Sequence, residues 1–357
     1  MAKDKQFFNI VIRMPNHIGD CVMATPVLSD LKCRFPDAKL TVMCKQNIVS
    51  MFEKDADVDE IFPFSKPKKP NKKEETRKLI QRLKEKKFDL GVLLPNSFSS
   101  AYLFWKAGVQ SRLGYSRDAR RIFLTHPVKM QPLWHSYHFV DQYKLILKGI
   151  GIKRSRTKPR LYLDDQDIQR AQEILQENGV EKDHMVVGVN PSAASGTAKI
   201  WPKEYFKQVI KNLSELDNVK VIVFGDQYSK STVDEICAGL NENVINLAAK
   251  TSLQESIGIM KLCKVILSND SGPMHIAAAI GTPVVALFGP TNDLLSGPYT
   301  PLCYIIHKYV ECSPCHLGTC PIDHRCMHRI KVDEVFDKVT RWLKIPDGAL
   351  LSYANQK

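Results

Sequence analysis

Short runs of apolar residues that do not alternate with polar ones constrain this chain more than any other feature. FFNIVIRM, KLTVMC and FDLGVLLP stand in its first half, and MVVGVNP, VKVIVFGD, NVINLA, KVILSND and PVVALFG in its second. A strand with one face in water alternates; a run that does not is buried on both faces, as in a parallel sheet. Helical spacing fills the intervals, from about Cys21 to Arg34 after the loop PNHIGD, then in KLIQRLKEKK and around SSAYLFWKAG. Strand, loop, helix, strand is a βαβ crossover, so the expected class is α/β with open, doubly wound sheets. The series restarts after a charged stretch, IKRSRTKPRLYLDDQ, and 357 residues suit two domains of average size. Domains are expected over residues 1–163 and 164–331, with the carboxyl ends of their strands facing a central cleft. A C-terminal helix and tail follow over 332–357. The helix, VDEVFDKVTRWLK, comes after the second sheet is complete and is expected to pack back on the first domain.

With 44% hydrophobic and 25% charged residues the composition is that of a globular protein, not of a disordered, collagenous or coiled-coil chain. No run approaches the ~18 apolar residues of a membrane span. The N-terminus passes directly into a strand-like segment without a signal-peptide pattern, so a cytoplasmic location is expected. The net charge is +13, and residues 65–87 hold eleven Lys/Arg against three Glu. That concentration points to anionic partners (nucleic acid, acidic headgroups or a phosphorylated substrate), against the plainer reading of a solvated lysine-rich helix. Of ten cysteines, Cys312, Cys315, Cys320 and Cys326 cluster with His316, His324 and His328 between and beside them. Four such thiols could hold zinc, but the spacing is irregular and lacks a second CxxC, so a reduced, loop-stabilising cluster competes with a metal site.

Chemistry concentrates in three loops. In KVILSNDSGPMHIAAAIGTPVVALFGP a buried strand ends at Asp270, Ser271 and Gly272 make a turn, and Pro273 opens a helix rich in small residues. Helix-opening amides and the helix dipole favour an anion there, with Ser271 and His275 as added donors. An unliganded cap with a core histidine is the alternative. A second loop after MVVGVNP carries Ser192, Ser195, Gly196, Thr197 and Lys199 before a helix starting near Pro202. Two such loops in one domain suit a diphosphate, although Lys199 could also be a plain surface lysine. In the third loop, Asn16-His17-Ile18-Gly19-Asp20, Asp20 is either a first-turn acid favoured by the dipole or a general base, with Gly19 leaving room for substrate.

PNHIGD, VLLPNSFSSAYLFWKAGVQSRLGY, AKIWP, SNDSGPMHIAAA and FGPT, in that order, resemble the glycosyltransferase family 9 heptosyltransferases of lipopolysaccharide core synthesis. LLPNSF with the tail CSPC…CP…HRCM resembles the members that add the second heptose more than those that add the first. The resemblance implies a GT-B fold of two Rossmann-like domains, acceptor on the first and nucleotide sugar on the second. It implies inverting transfer of L-glycero-D-manno-heptose from ADP-heptose to the heptosyl-Kdo2-lipid A acceptor, with no cofactor or catalytic metal. A relative with another donor or acceptor is the alternative. Matched by motif, Asp20 is the catalytic base and Lys199 a catalytic cation. Ser195, Gly196, Lys199, Asp270, Ser271, Gly272 and His275 bind donor, and Asn16, Gly19 and Arg120 bind acceptor. The family's loop before the lysine often carries threonine or phenylalanine where this chain has Ala194 and Ser195. A phosphorylated glycolipid acceptor leaves room for peripheral contact between the basic stretch and the anionic inner membrane. Nucleic acid is not expected as a partner, since no recognition motif accompanies the charge. A dinucleotide-dependent dehydrogenase would need GxGxxG, which is missing.

Overall fold

A computed structural model describes residues 5–65, 70–130, 133–194 and 196–349. The chain forms two compact units, Met1–Tyr162 and Leu163–Lys357, and among the described residues each is built on one six-stranded parallel sheet. In the first unit the strands are β1 (Asn9–Arg13), β2 (Lys39–Lys45), β3 (Glu60–Phe64), β4 (Leu90–Leu93), β5 (Ser111–Tyr115) and β6 (His126–Val128), ordered β3-β2-β1-β4-β5-β6. In the second they are β7 (Met185–Asn190), β8 (Val219–Val223), β9 (Val244–Asn246), β10 (Val265–Asn269), β11 (Val284–Phe288) and β12 (Cys303–His307), ordered β12-β11-β10-β7-β8-β9. Counted within its own unit, each sheet runs 3-2-1-4-5-6, the order of dinucleotide-binding folds. The register fixes the centre of each sheet: Ile10 lies between Leu40 and Leu90, and Val187 between Val221 and Val265.

The non-alternating runs are the central strands. Ile10, Val11, Ile12, Leu40, Val42, Leu90 and Val92 are fully buried, as are Val187, Val189, Val265, Ile266 and Leu267. The α/β class read from those runs therefore holds. Strands β3, β5, β6 and β12 lay outside the sequence reading. Three of them are sheet edges, where Pro63 and Pro127 are tolerated because no ladder partner needs their missing N–H. Ile305 on β12 stays partly exposed, so no continuous apolar run marks that strand.

Two helical expectations are corrected. The segment read as one helix over 21–34 is two, Ile18–Ala24 and Pro26–Arg34. Pro26 supplies no N–H to continue the ladder, and the Thr25 hydroxyl between them donates to the Val22 carbonyl at 2.8 Å. The C-terminal helix Val332–Leu343, expected on the first domain, packs into the core of the second unit. Val335, Val339 and Trp342, at helical spacing, join Trp201, Phe206, Val209 and Leu213 in that unit's own core. The charged stretch after residue 152 is also more than a tether. The Arg160 guanidinium pairs with Asp57 and, at 3.1 Å, with Asp55, while the Ser155 and Thr157 hydroxyls donate to Asp30 at 2.8 and 3.0 Å. Trp342→Ala is expected to destabilise the second unit by about 3–5 kcal/mol. Hydrogen exchange should then show protection lost in β10 and β11 and kept in β1 and β4; loss confined to the first sheet would contradict this packing.

Candidate active site

In a 3-2-1-4-5-6 sheet the connections leave the first and fourth strands in opposite directions, and a crevice opens beyond their carboxyl ends. In the first unit this place holds a cavity of about 280 Å³. Pro15, Asn16, His17 and Asp20, following β1, line one side; Leu94, Pro95 and Asn96, following β4, line the other. Tyr115, Trp134, Phe139, Gln142 and Tyr143 complete it.

Asp20 stands in the first turn of the helix Ile18–Ala24, where the dipole favours a carboxylate. The Tyr143 hydroxyl donates to its Oδ1 at 3.2 Å. Burial, aided by the Asp20 charge, holds the Tyr143 phenol well above its usual range, so it remains a donor throughout the neutral range. Buried groups set the loop beneath. Arg13 donates to Asn16 Oδ1 at 2.7 Å and to the Met14 carbonyl, and its guanidinium lies 4.1 Å from the centre of the Phe64 ring. Burial pulls Arg13 down to about 10, which leaves it cationic at neutral pH. The Cys21 thiol, 3.2 Å from the Pro15 carbonyl, is pushed far up by burial and is no nucleophile. Gly19 is buried in the same helix, and Asn16 is exposed at the rim.

Arg120, expected to contact acceptor, is held inside the first unit. It is 0% exposed, and its guanidinium donates to the Tyr115 carbonyl at 2.7 Å, to the Pro95 carbonyl and to Asn96 Oδ1 at 3.2 Å. The desolvated cation, drawn down to about 10, lies behind the cavity wall and holds Pro95 and Asn96 in it. Gly114 leaves room for this: a Cβ there would sit 2.8 Å from Arg120 Nη2.

The equivalent place in the second unit, beyond β7 and β10, gathers most of the other expected residues. Lys199 Nζ lies 2.6 Å from Asp270 Oδ2, which also accepts from the Thr291 hydroxyl at 2.7 Å. Asp270 is 6% exposed and Lys199 21%, so the carboxylate fixes the lysine from below while two ammonium protons stay available. Ser271 precedes the helix Gly272–Ile280, but its hydroxyl does not cap it. That oxygen accepts from Asn190 Nδ2 at 2.9 Å and lies 3.1 Å from Ser268 Oγ. Asn269 binds the neighbouring loop at both ends, accepting from the Trp201 amide at 3.1 Å and donating to the Pro191 carbonyl at 2.9 Å. His275 is buried in the helix. Gly196 has φ +112°, and Ser195 lies outside the described residues.

The cysteine-bearing segment abuts this loop. The Ala198 amide donates to the Gly318 carbonyl at 3.1 Å, and His324 Nε2 lies 2.7 Å from the Ala198 carbonyl. Cys312, Cys315, Cys320 and Cys326 are all free thiols. Among the described residues no group of three or more His, Cys, Asp or Glu could hold a metal ion.

A family model described as glycosyltransferase family 9 (heptosyltransferase) matches residues 76–325. The chain belongs to glycosyltransferase family 9. It is 29% identical over 297 residues to a lipopolysaccharide heptosyltransferase 2 of Escherichia coli, covering 81% of this chain and 85% of that one. A lipooligosaccharide heptosyltransferase 2 of Campylobacter jejuni is 28% identical over 340 residues, 94% of this chain and 98% of the other. Among solved structures, the E. coli ADP-heptose LPS heptosyltransferase II superposes with a TM-score of 0.81 at 26% identity, covering 94% of this chain and 98% of that one. The family 9 protein of Veillonella parvula shares the fold, with a TM-score of 0.83 at 23% identity, covering 96% and 98%.

Sequence reading of this family 9 chain missed Tyr143, Asn96, Asn190, Asn269 and Thr291. Strand-final asparagines in VNP and SND were a usable signal for two of them; Tyr143 reaches Asp20 from 123 residues away and has none. Gly196→Ala would bring a Cβ within 2.2 Å of the Gly318 carbonyl oxygen. It is expected to push the loop off that segment, read as faster hydrogen exchange at the Ala198 amide; unchanged exchange would show that the contact does not hold the loop.

Proposed function

We propose that this family 9 chain transfers L-glycero-D-manno-heptose from ADP-heptose to the heptosyl-Kdo2-lipid A acceptor of the lipopolysaccharide inner core, with inversion. The observation that carries this reading is likeness along nearly the whole chain to relatives named heptosyltransferase 2. Two sites of complementary chemistry, one with a carboxylate and one with a cation and a helix N-terminus, support it.

In this reaction the first unit binds acceptor and the second binds ADP-heptose. Cleaving the anomeric C–O bond leaves the electron pair on ADP and develops positive charge on the sugar ring. Lys199 and the amides opening Gly272–Ile280 stabilise the departing diphosphate, worth a few kcal/mol in a preorganised site. Gly196, Ser271, Gly272 and His275, with Ser195, complete the donor site, and Asp270 keeps Lys199 aimed. Asp20 takes the proton of the acceptor hydroxyl as its oxygen attacks the anomeric carbon opposite the leaving group. Asn16 and Gly19 shape the acceptor's seat, while Arg120 acts as a positioning residue through Pro95 and Asn96. No helix among the described residues is long and apolar enough to cross a membrane. The exposed cations of the helix Lys72–Glu85 suit peripheral contact with an anionic membrane on the cytoplasmic side, where the acceptor resides.

ADP release is expected with an acceptor carrying one heptose and not with the bare Kdo2-lipid A. Release with only the bare acceptor would assign the preceding transfer instead. Asp20→Asn is expected to keep ADP-heptose binding in calorimetry while turnover falls about 10²–10⁴-fold; near-normal turnover would remove Asp20 as the base. Tyr143→Phe deletes a hydrogen bond that favours the ionised carboxylate, so the proton affinity of Asp20 rises. The acidic limb of the kcat/KM profile should therefore move to higher pH; a profile fixed in place would show that Tyr143 does not tune the base.

A further inference from the structure

The helix Phe98–Lys106 and the 3-10 turn Arg120–Phe123 together present an aromatic surface that the chemistry above does not use. Phe98, Tyr102 and Trp105 are 44%, 36% and 42% exposed, and Ile122 is 77% exposed. The three rings form one cluster around Phe123, which lies 5.1 Å from Phe98, 5.6 Å from Tyr102 and 5.2 Å from Trp105, ring centre to ring centre, and Ile122 precedes Phe123 in the same turn. Isolated apolar side chains on a surface are ordinary, but a contiguous aromatic patch marks a contact site. Cations rim it. Lys106 Nζ is 4.7 Å from the Trp105 ring centre, and Arg121 is exposed beside Ile122. The lysine-rich helix Lys72–Glu85 packs on the same apolar cluster through Leu79 and Leu83, next to Ala101, Phe104 and Phe123. Its exposed residues include Lys72, Lys73, Arg77 and Lys84.

Amphipathic rings flanked by lysine and arginine are the side-chain set that settles at a bilayer–water boundary. We propose that this face of the first unit seats on an anionic lipid bilayer, with Phe98, Trp105 and Ile122 entering the headgroup–acyl boundary and the neighbouring cations meeting lipid phosphates. The choice of a bilayer rests on the lipid-anchored acceptor proposed above and on the charge of the rim. The connection to the cavity is short. Ser97 caps the aromatic helix immediately after Asn96, and the turn that exposes Ile122 also supplies Arg120 to the back of Pro95 and Asn96. A glycolipid whose acyl chains lie in the bilayer then has its sugars beside the cavity mouth. The aromatic patch supplies area-dependent binding that salt leaves in place, and the cations supply attraction that salt screens.

Flotation of the full chain with vesicles tests this, using phosphatidylcholine alone and phosphatidylcholine mixed with phosphatidylglycerol. The chain is expected to float with the mixed vesicles and to keep part of that binding at high salt. Ile122→Asp and Phe98→Ser are expected to lower partitioning about tenfold or more, the scale of withdrawing one large apolar side chain from hydrocarbon. Trp105 fluorescence should be quenched by brominated acyl chains. The same variants should retain ADP release with a deacylated, water-soluble acceptor, which shows that they fold. No flotation, flotation indifferent to both substitutions, or a dimer in solution that Ile122→Asp disperses would overturn the assignment. The vesicles contain no acceptor, so failed flotation counts against the docking face, whereas failed ADP release by the unaltered chain counts against the proposed reaction.

Discussion

Parallel strands all end on the same edge of their sheet, and that constraint governs this protein twice over. Each central strand is too apolar to meet water on either face, so helices must cover both faces and every crossover must return the chain to the same starting edge. What remains at the opposite edge is a row of loops. Where the winding direction reverses, between β1 and β4 and between β7 and β10, neighbouring loops part and leave space. The candidate site residues of both units gather in those two places because the packing leaves little other room for polar side chains so close to the centre of a sheet.

Space alone does not make a site; its loops have to be held. Buried polar side chains do that in both units by bonding to backbone groups that would otherwise lie desolvated. Arg13 and Arg120 bind carbonyls of the loops after β1 and β4, and Asn190 and Asn269 both bind carbonyls of the loop after β7. Two cations serve the first unit and two amides the second. That difference suits what each crevice holds in the proposed reaction: extra positive charge beside a diphosphate is supplied from above by Lys199, and Asp270 balances it from below.

The fold was legible where burial is complete. Val187, Val265 and Ile10 sit in runs that only a doubly covered strand would need, so the class and the two-unit organisation follow from them. It was illegible at the edges: β12 exposes Ile305, and β3 and β6 contain proline, so none carries the apolar signal of a central strand. Proline chemistry at Pro26 marked a helix break that apolar spacing alone had smoothed over. The C-terminal helix was misplaced because its apolar face states that it packs but not against what; Trp342 found a core already built around Trp201. In the site, Asp20, Lys199 and Asp270 were visible because loops that leave strands with charged residues are conspicuous. Arg120 was visible as a cation, but sequence gives a guanidinium's charge and not the carbonyls that surround it. Tyr143 was invisible, being joined to Asp20 only by the winding of the chain.

The meeting of Gly196 with Gly318 has an asymmetric consequence. On the Gly196 side any carbon added to the backbone collides with the opposite chain, whereas a Cβ at Gly318 would point into open space. At this point the closest approach of the lysine-bearing loop to the cysteine-bearing segment is thus limited by main chain, like a gauge with one fixed jaw. Residue 318 can therefore accept a side chain without pressing on the loop that carries Lys199, while its partner loop has no such latitude at residue 196.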